Sequence, residues 1–346
     1  MIRRTDWVDY GKGIGIILVV YGHLLSSGYH AHLTIQEHFF ALSDSIVYSF
    51  HMPFFFFLTG LFVEQSFHKR GARSFLINKI KYIAYPYLIW SLLQTSIELF
   101  LANHTYRGIT LEDILAIPYR PWSQFWFLYA LICMYVAYSM FTMLGKFSTA
   151  VMTLSAIILF FYPINTEVAA LHDFSVEFLF FVSGILAKRY LTDPKKHSIP
   201  TEITCAFFIF LLGSGYFIFT NQIDPTRLTN GSHPFYFLYL STLGITSGIG
   251  LSQYLARKNC CRYIKVLGIH SLQIYLVHML AGVGARIILL KLFHLQNPAL
   301  HICIGVIVGL WAPIILYRIS LTIHFPYLFH LKEDRPTANR GYQTLE

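Results

Sequence analysis

His23, His51 and His278 each stand inside a long apolar stretch of this chain. An imidazole is the side chain whose ordinary pKa lets it serve as a general base near neutral pH, so any of the three could take the proton of an acceptor hydroxyl attacking a thioester. Lys12 stands eleven residues before His23. At 100° per residue that is three turns plus about 20°, so both side chains project from one helix face. Asp9, three residues before Lys12, is spaced to pair with it. Lys69, Arg70, Arg73, Lys79 and Lys81 form a second basic group, dense enough to hold phosphates. The chemistry these types suggest is a phosphate-bearing donor docked at a basic mouth, its reactive end reaching a buried imidazole. A blander reading stands beside it: a single buried His is often only a hydrogen-bonded structural residue, and most basic loops of membrane proteins only fix orientation.

The elements that must position these residues are membrane helices. Stretches of roughly 17 to 25 mostly apolar residues predict ten spans, at 12–29, 44–65, 82–101, 124–145, 148–163, 174–190, 202–220, 234–256, 267–290 and 300–321. With the N-terminus in the cytoplasm, all 26 Lys and Arg fall on or near that side except Arg107, Arg120, Arg227, Arg286 and Lys291, which selects the orientation by the positive-inside rule. Arg3 and Arg4 precede the first apolar stretch as in a signal peptide, but no small-residue cleavage site follows, so it is expected to stay as a helix. Both termini are then cytoplasmic: residues 1–325 form an integral-membrane domain and 326–346 a cytoplasmic tail. Counted at ~1.5 Å per residue from the cytoplasmic edges, His23 lies about 16 Å deep, His51 about 21 Å and His278 about 16 Å, one level of a core ~30 Å thick.

Composition excludes other classes. Hydrophobic residues make up 55% and charged residues 12% of the 346 positions, where a soluble domain carries about 25% charged residues. The net charge of +9 follows the alternate loops rather than one basic surface, so nucleic acid is not an expected partner. Five cysteines without a CxxC spacing argue against a disulfide framework or a cysteine-built zinc site. No HxxxH or HExxH spacing and no acidic residue at histidine depth supports a metal, and none is expected.

Pro53 removes a hydrogen bond from the second span, freeing the Ser49 carbonyl and predicting a kink beside His51. Phe54 to Phe57 read as lipid-facing or packing residues. Trp122 and Trp126 fit an interfacial aromatic belt, although aromatic faces also stack on sugars. Glu98, Glu177 and Arg286 fall toward the outer helix ends, where solvated residues and acceptor contacts are equally at home. His30, His32 and His38 read as surface residues.

Several ordered motifs carry a resemblance. Asp9-Tyr10-Gly11-Lys12 and the run to Gly22-His23, Phe50-His51-Met52-Pro53-Phe54-Phe55 through Thr59-Gly60, Lys79 and Lys81 before Pro86-Tyr87, Trp126-Phe127-Leu128, and Gly268 through Ser271-Leu272 to Tyr275-Leu276-Val277-His278 resemble acyltransferase family 3. This group of membrane proteins contains bacterial surface-glycan O-acetyltransferases and fucose 4-O-acetylase-like proteins. Lys12 stands where that family usually has Arg, and its strict Arg-x-x-Arg pair is missing, which preserves phosphate attraction but loses bidentate geometry. The resemblance implies acetyl-CoA or another acyl-CoA as co-substrate and transfer to a hydroxyl presented from outside, on a glycan or lipid-linked sugar. His23 maps to the catalytic histidine, with His51 and His278 lining the site. Lys12, Lys79, Lys81 and Arg73 map to the donor side, and Asp9, Pro53, Trp126, Ser271 and Tyr275 support the site. The expected setting is a bacterial inner membrane, with membrane lipid around the protein and a homodimer left open. Acetyl against succinyl, and covalent against direct transfer, are left open by the sequence. The other reading is a transporter or exporter of a glycan or small polar solute using the same histidines, although no paired inverted halves with matching broken helices are seen.

Overall fold

The computed structural model describes residues 6–100, 110–166, 168–191, 199–220 and 233–331. Arg3, Arg4, Arg107 and Arg227 lie outside them, as does the expected tail beyond residue 331. A chain this apolar must satisfy every backbone group internally, and the described residues are mostly helical, without strands among them. The helices are α1 Asp6–His30, α2 Glu37–Tyr48, α3 His51–Arg70, α4 Ala72–Lys79, α5 Tyr85–Phe100, α6 Leu111–Ala116, α7 Trp126–Phe141, α8 Ser148–Phe161, α9 Ala169–Leu191, α10 Thr201–Thr220, α11 Pro234–Lys258, α12 Arg262–Ile269, α13 Ser271–Lys291 and α14 Pro298–Thr322.

This is an all-α polytopic membrane protein, and each of the ten expected spans coincides with helix. Among the described residues, seven stretches are both long and apolar enough to cross a bilayer. One of these, Ser123–Phe161, holds both α7 and α8, which meet at Gly145 with φ 58° and ψ −125°. A residue with side chain resists that left-handed backbone, and glycine lets the chain turn between two helices. The expected 267–290 span begins later than predicted: His270 separates a short α12 from α13.

α1 is the central helix, packed against α2, α3, α11, α12, α13 and α14. Small residues let it be central. A Cβ on Gly13 would strike the carbonyl of Ile264, and one on Gly268 the backbone of Asp9, so α1 and α12 touch main chain to main chain. That contact fixes Asp9 and Lys12 against the start of α13. α3 packs in turn on α9, with Gly60 and Gly184 at an equally close crossing. Phe54, Phe55, Phe56 and Phe57 are all buried, so they pack and do not face lipid.

The second span is broken rather than kinked. α2 ends at Tyr48, Phe50 leaves helical geometry (φ −147°, ψ −16°), and α3 starts at His51. Pro53 has no N–H for the Ser49 carbonyl. The Ser241 hydroxyl of α11 donates to that carbonyl at 2.8 Å instead. An exposed broken helix is intolerable in lipid, and a neighbouring hydroxyl is one of the few ways to satisfy it.

Candidate active site

The break places His51 at the first position of α3, where its ring turns back across the gap. Nδ1 lies 2.7 Å from the Val47 carbonyl of α2. A carbonyl only accepts, so Nδ1 carries the hydrogen and Nε2 keeps its lone pair. His278 repeats the arrangement on α13, with Nδ1 2.8 Å from the Tyr275 carbonyl. Its Nε2 is buried without a partner. Both imidazoles are thereby locked in the tautomer that presents a basic nitrogen.

The three histidines converge as their depths predict. The His23 and His278 rings have centroids 5.4 Å apart. Tyr48, the last residue of α2, lies edge-on to both His51 and His23, at 4.8 Å and 6.2 Å. His51 and His278 are 1% and 0% exposed, whereas His23 is half-buried. Of the three, His23 is thus the least enclosed.

A cavity of ≈150 Å³ lies beside this cluster, lined at one end by Asp9, Lys12 and Lys79 and at the other by Met52, Phe55, Phe127 and Tyr275. By that measure it holds roughly ten waters, room for an elongated ligand. The histidines do not line it. Met52 follows His51 and Tyr275 precedes His278 by three residues, so the cavity stops about one helical turn short of the imidazoles.

Lys12, Lys79, Asp9, Ser271 and Tyr275 line this cavity, while Arg73 and Lys81 do not. Arg73 is exposed, and Lys81 lies in the π-helical turn Ile80–Ala84, two residues past Lys79 and so near the opposite face. Lys79 is buried, its Nζ 4.2 Å from the Tyr135 ring centroid and 5.2 Å from that of Phe75. Burial, and then the positive charges of Arg70 and Lys12, lower its pKa to about 7. An anion in the cavity would relieve both penalties. Trp126 packs at 6.2 Å from Phe56, a supporting contact.

Sequence reasoning did not single out the polar network behind Tyr275. The Tyr275 hydroxyl donates to the Gln124 carbonyl. The Gln124 amide donates to Gln94 at 2.7 Å, Gln94 donates to Glu98 at 2.9 Å, and Trp122 Nε1 donates to Glu98 at 3.2 Å. Gln94 and Gln124 are both buried. Isolated glutamines in an apolar helix carry no spacing signal, so only the fold reveals the pair. Glu177, expected at an outer helix end as either a solvated residue or an acceptor contact, is buried with one carboxyl oxygen unpartnered.

Residues 5–318 match the profile of a family described as "Acyltransferase domain". Among curated proteins the chain is 26% identical over 195 residues to Nodulation protein NolL of Sinorhizobium fredii (strain NBRC 101917 / NGR234), covering 55% of this chain and 50% of that protein. It is 22% identical over 170 residues to Nodulation protein NolL of Mesorhizobium japonicum (strain LMG 29417 / CECT 9101 / MAFF 303099), covering 49% and 44%. The matches therefore span about half the length of those relatives. No solved structure matches the chain.

Proposed function

The chain belongs to the acyltransferase family whose profile spans it, and from that membership we propose that it moves an acyl group from acyl-CoA, bound at a cytoplasmic basic face, to a hydroxyl of a glycan or lipid-linked sugar reached from the opposite face. The observation that carries this reading is the cavity running from Lys12 and Lys79 toward three histidines at mid-bundle. Lengths agree with it. Eleven residues from Lys12 to His23 rise ~16 Å. The pantetheine arm of CoA has about twelve bonds from phosphate ester oxygen to sulfur, or ~14 Å at the ~1.2 Å per bond of an extended chain.

In this reading Lys12 and Lys79 hold the CoA phosphates, and the arm lies along the apolar cavity wall with the thioester toward Met52 and Tyr275. His23 removes the proton from the acceptor hydroxyl as its oxygen attacks the thioester carbon. The tetrahedral intermediate collapses by breaking the carbon–sulfur bond, and the CoA sulfur leaves with the proton His23 had taken. His278, with its free Nε2 beside the His23 ring, is positioned to accept a hydrogen bond from the imidazolium. His51 anchors the break between α2 and α3. Acetyl is the proposed acyl group, and a bacterial inner membrane the proposed location.

Purified protein supplied with labelled acetyl-CoA and a bacterial lipid-linked sugar extract as acceptor tests this. Wild type should consume the thioester, and His23→Ala should lower the rate by about 10²- to 10⁴-fold with unchanged elution and helical content. Consumption by His23→Ala at the wild-type rate would remove His23 from the reaction. A wild type that ignores acetyl-CoA but moves solute down a gradient would be a transporter.

A further inference from the structure

Outward from the histidine pair, α1 and α13 run in register. His23 faces His278, Leu24 lies against Gly282, and the Ser27 hydroxyl accepts a hydrogen bond of 3.0 Å from Arg286. On α13 these positions step by four residues, about one turn or ~6 Å each. A guanidinium therefore sits two turns beyond His278 and one turn beyond His23, on the side opposite Lys12.

Arg286 is half-buried, and among the described residues its one hydrogen bond goes to the neutral Ser27. Counted at ~1.5 Å per residue from residue 267, Arg286 lies about 28 Å up a core ~30 Å thick, at the outer edge where lipid phosphates also lie. The small pocket it lines is completed by Leu24, Leu33, Gly282, Ile302 and His301. His301 is 3% exposed, its Nε2 is 2.8 Å from the Leu295 carbonyl, and its Nδ1 has no partner. That Nε2–H donates to the carbonyl, so Nδ1 keeps its lone pair and offers no donor to an anion, and no acidic residue lines the pocket beside the guanidinium. At ≈10 Å³ it has room for roughly one water-sized group, which is enough for one oxygen of an anion and excludes a sugar ring. Its remaining walls are apolar, which suits an anion attached to a lipid tail.

We infer that Arg286, with the Ser27 hydroxyl, forms a phosphate-binding site for a lipid-phosphate-linked acceptor, holding the acceptor by its phosphate so that a sugar hydroxyl is presented to His23. The fork of donors on arginine matches phosphate oxygens better than a lysine would. The inference rests on the acyltransferase reading for what the acceptor does there, but phosphate binding can be measured without any acyl transfer.

The probe is farnesyl phosphate, with farnesol as its phosphate-free control, titrated into the full-length protein in a neutral detergent. Wild type should bind the phosphate at least tenfold more tightly than the alcohol. Arg286→Gln should abolish that preference, and Arg286→Lys should keep part of it. No preference in wild type, or an undiminished one in a folded Arg286→Gln protein, would overturn the site. Displacement by phosphatidylglycerol at equal mole fraction would assign the phosphate to bulk lipid and overturn the acceptor role. A wild type that keeps the preference yet consumes no acetyl-CoA would sink the acyltransferase reading, and with it the acceptor role, while the phosphate site stands.

Discussion

Replacing Lys12 by Ala tests whether the basic end of the cavity reads phosphate. A hydrogen bond to a charged group contributes about 1.5–3 kcal/mol, and at about 1.36 kcal/mol per tenfold its loss raises the donor KM by roughly 10- to 160-fold. Lys79 lines the same cavity and can take over part of the contact, so the lower half of that range is expected, and a Lys12→Ala/Lys79→Ala pair should be non-additive. The assay compares acetyl-CoA with S-acetyl-pantetheine, which carries the same thioester arm but no phosphate. Lys12→Ala should raise KM for acetyl-CoA alone, and Lys12→Arg should lower it by restoring a two-pronged contact. Equal effects on both donors would mean that Lys12 only shapes the cavity, and the reasoning from charge would be wrong.

Two further outcomes follow from local chemistry. Lys79 is charged below its pKa of about 7 and attracts phosphate only in that form, so the KM for acetyl-CoA should rise with pH above 7, by at most about tenfold per unit. Lys79→Arg, which stays charged, should flatten the profile, and a flat wild-type profile would exclude this role. Ser241→Ala leaves the Ser49 carbonyl unpaired at the helix break, at a cost of about 1–3 kcal/mol. Its apparent melting temperature in detergent should fall, Ser241→Thr should largely retain stability, and an unchanged Ser241→Ala protein would show that the carbonyl finds another donor.

Much of this site is legible in the residues because its signals are short-range. The Lys12–His23 stripe follows from helical periodicity, and the freed Ser49 carbonyl from the missing N–H of Pro53. The failures come from rotation about a helix and from contacts made only in the fold. Arg73 and Lys81 were grouped with Lys79 by sequence density, but helical rotation turns neighbours two or six residues apart onto different faces. The split of the second span at Phe50, rather than a bend at Pro53, depends on Ser241, which is 192 residues from Ser49. Gln94 and Gln124 show no pattern until α5 and the start of α7 are brought together. The orphaned Nε2 of His278 depends on which carbonyl its other nitrogen meets, and that is set by packing.

The layer of Met52, Phe55, Phe127 and Tyr275 between the cavity and the imidazoles fits a reaction whose substrates enter from opposite faces. An open passage from Lys12 to Arg286 would let water reach the thioester and let ions cross the membrane, so some seal between donor and acceptor is required. The seal here is built from three flexible or rotatable apolar side chains and one tyrosine whose hydroxyl is tied to the Gln124 carbonyl. In the proposed reaction the thioester replaces part of that layer, so the donor itself completes the barrier as it meets His23. The histidines are then reached only when donor is bound, which favours transfer to the acceptor over hydrolysis.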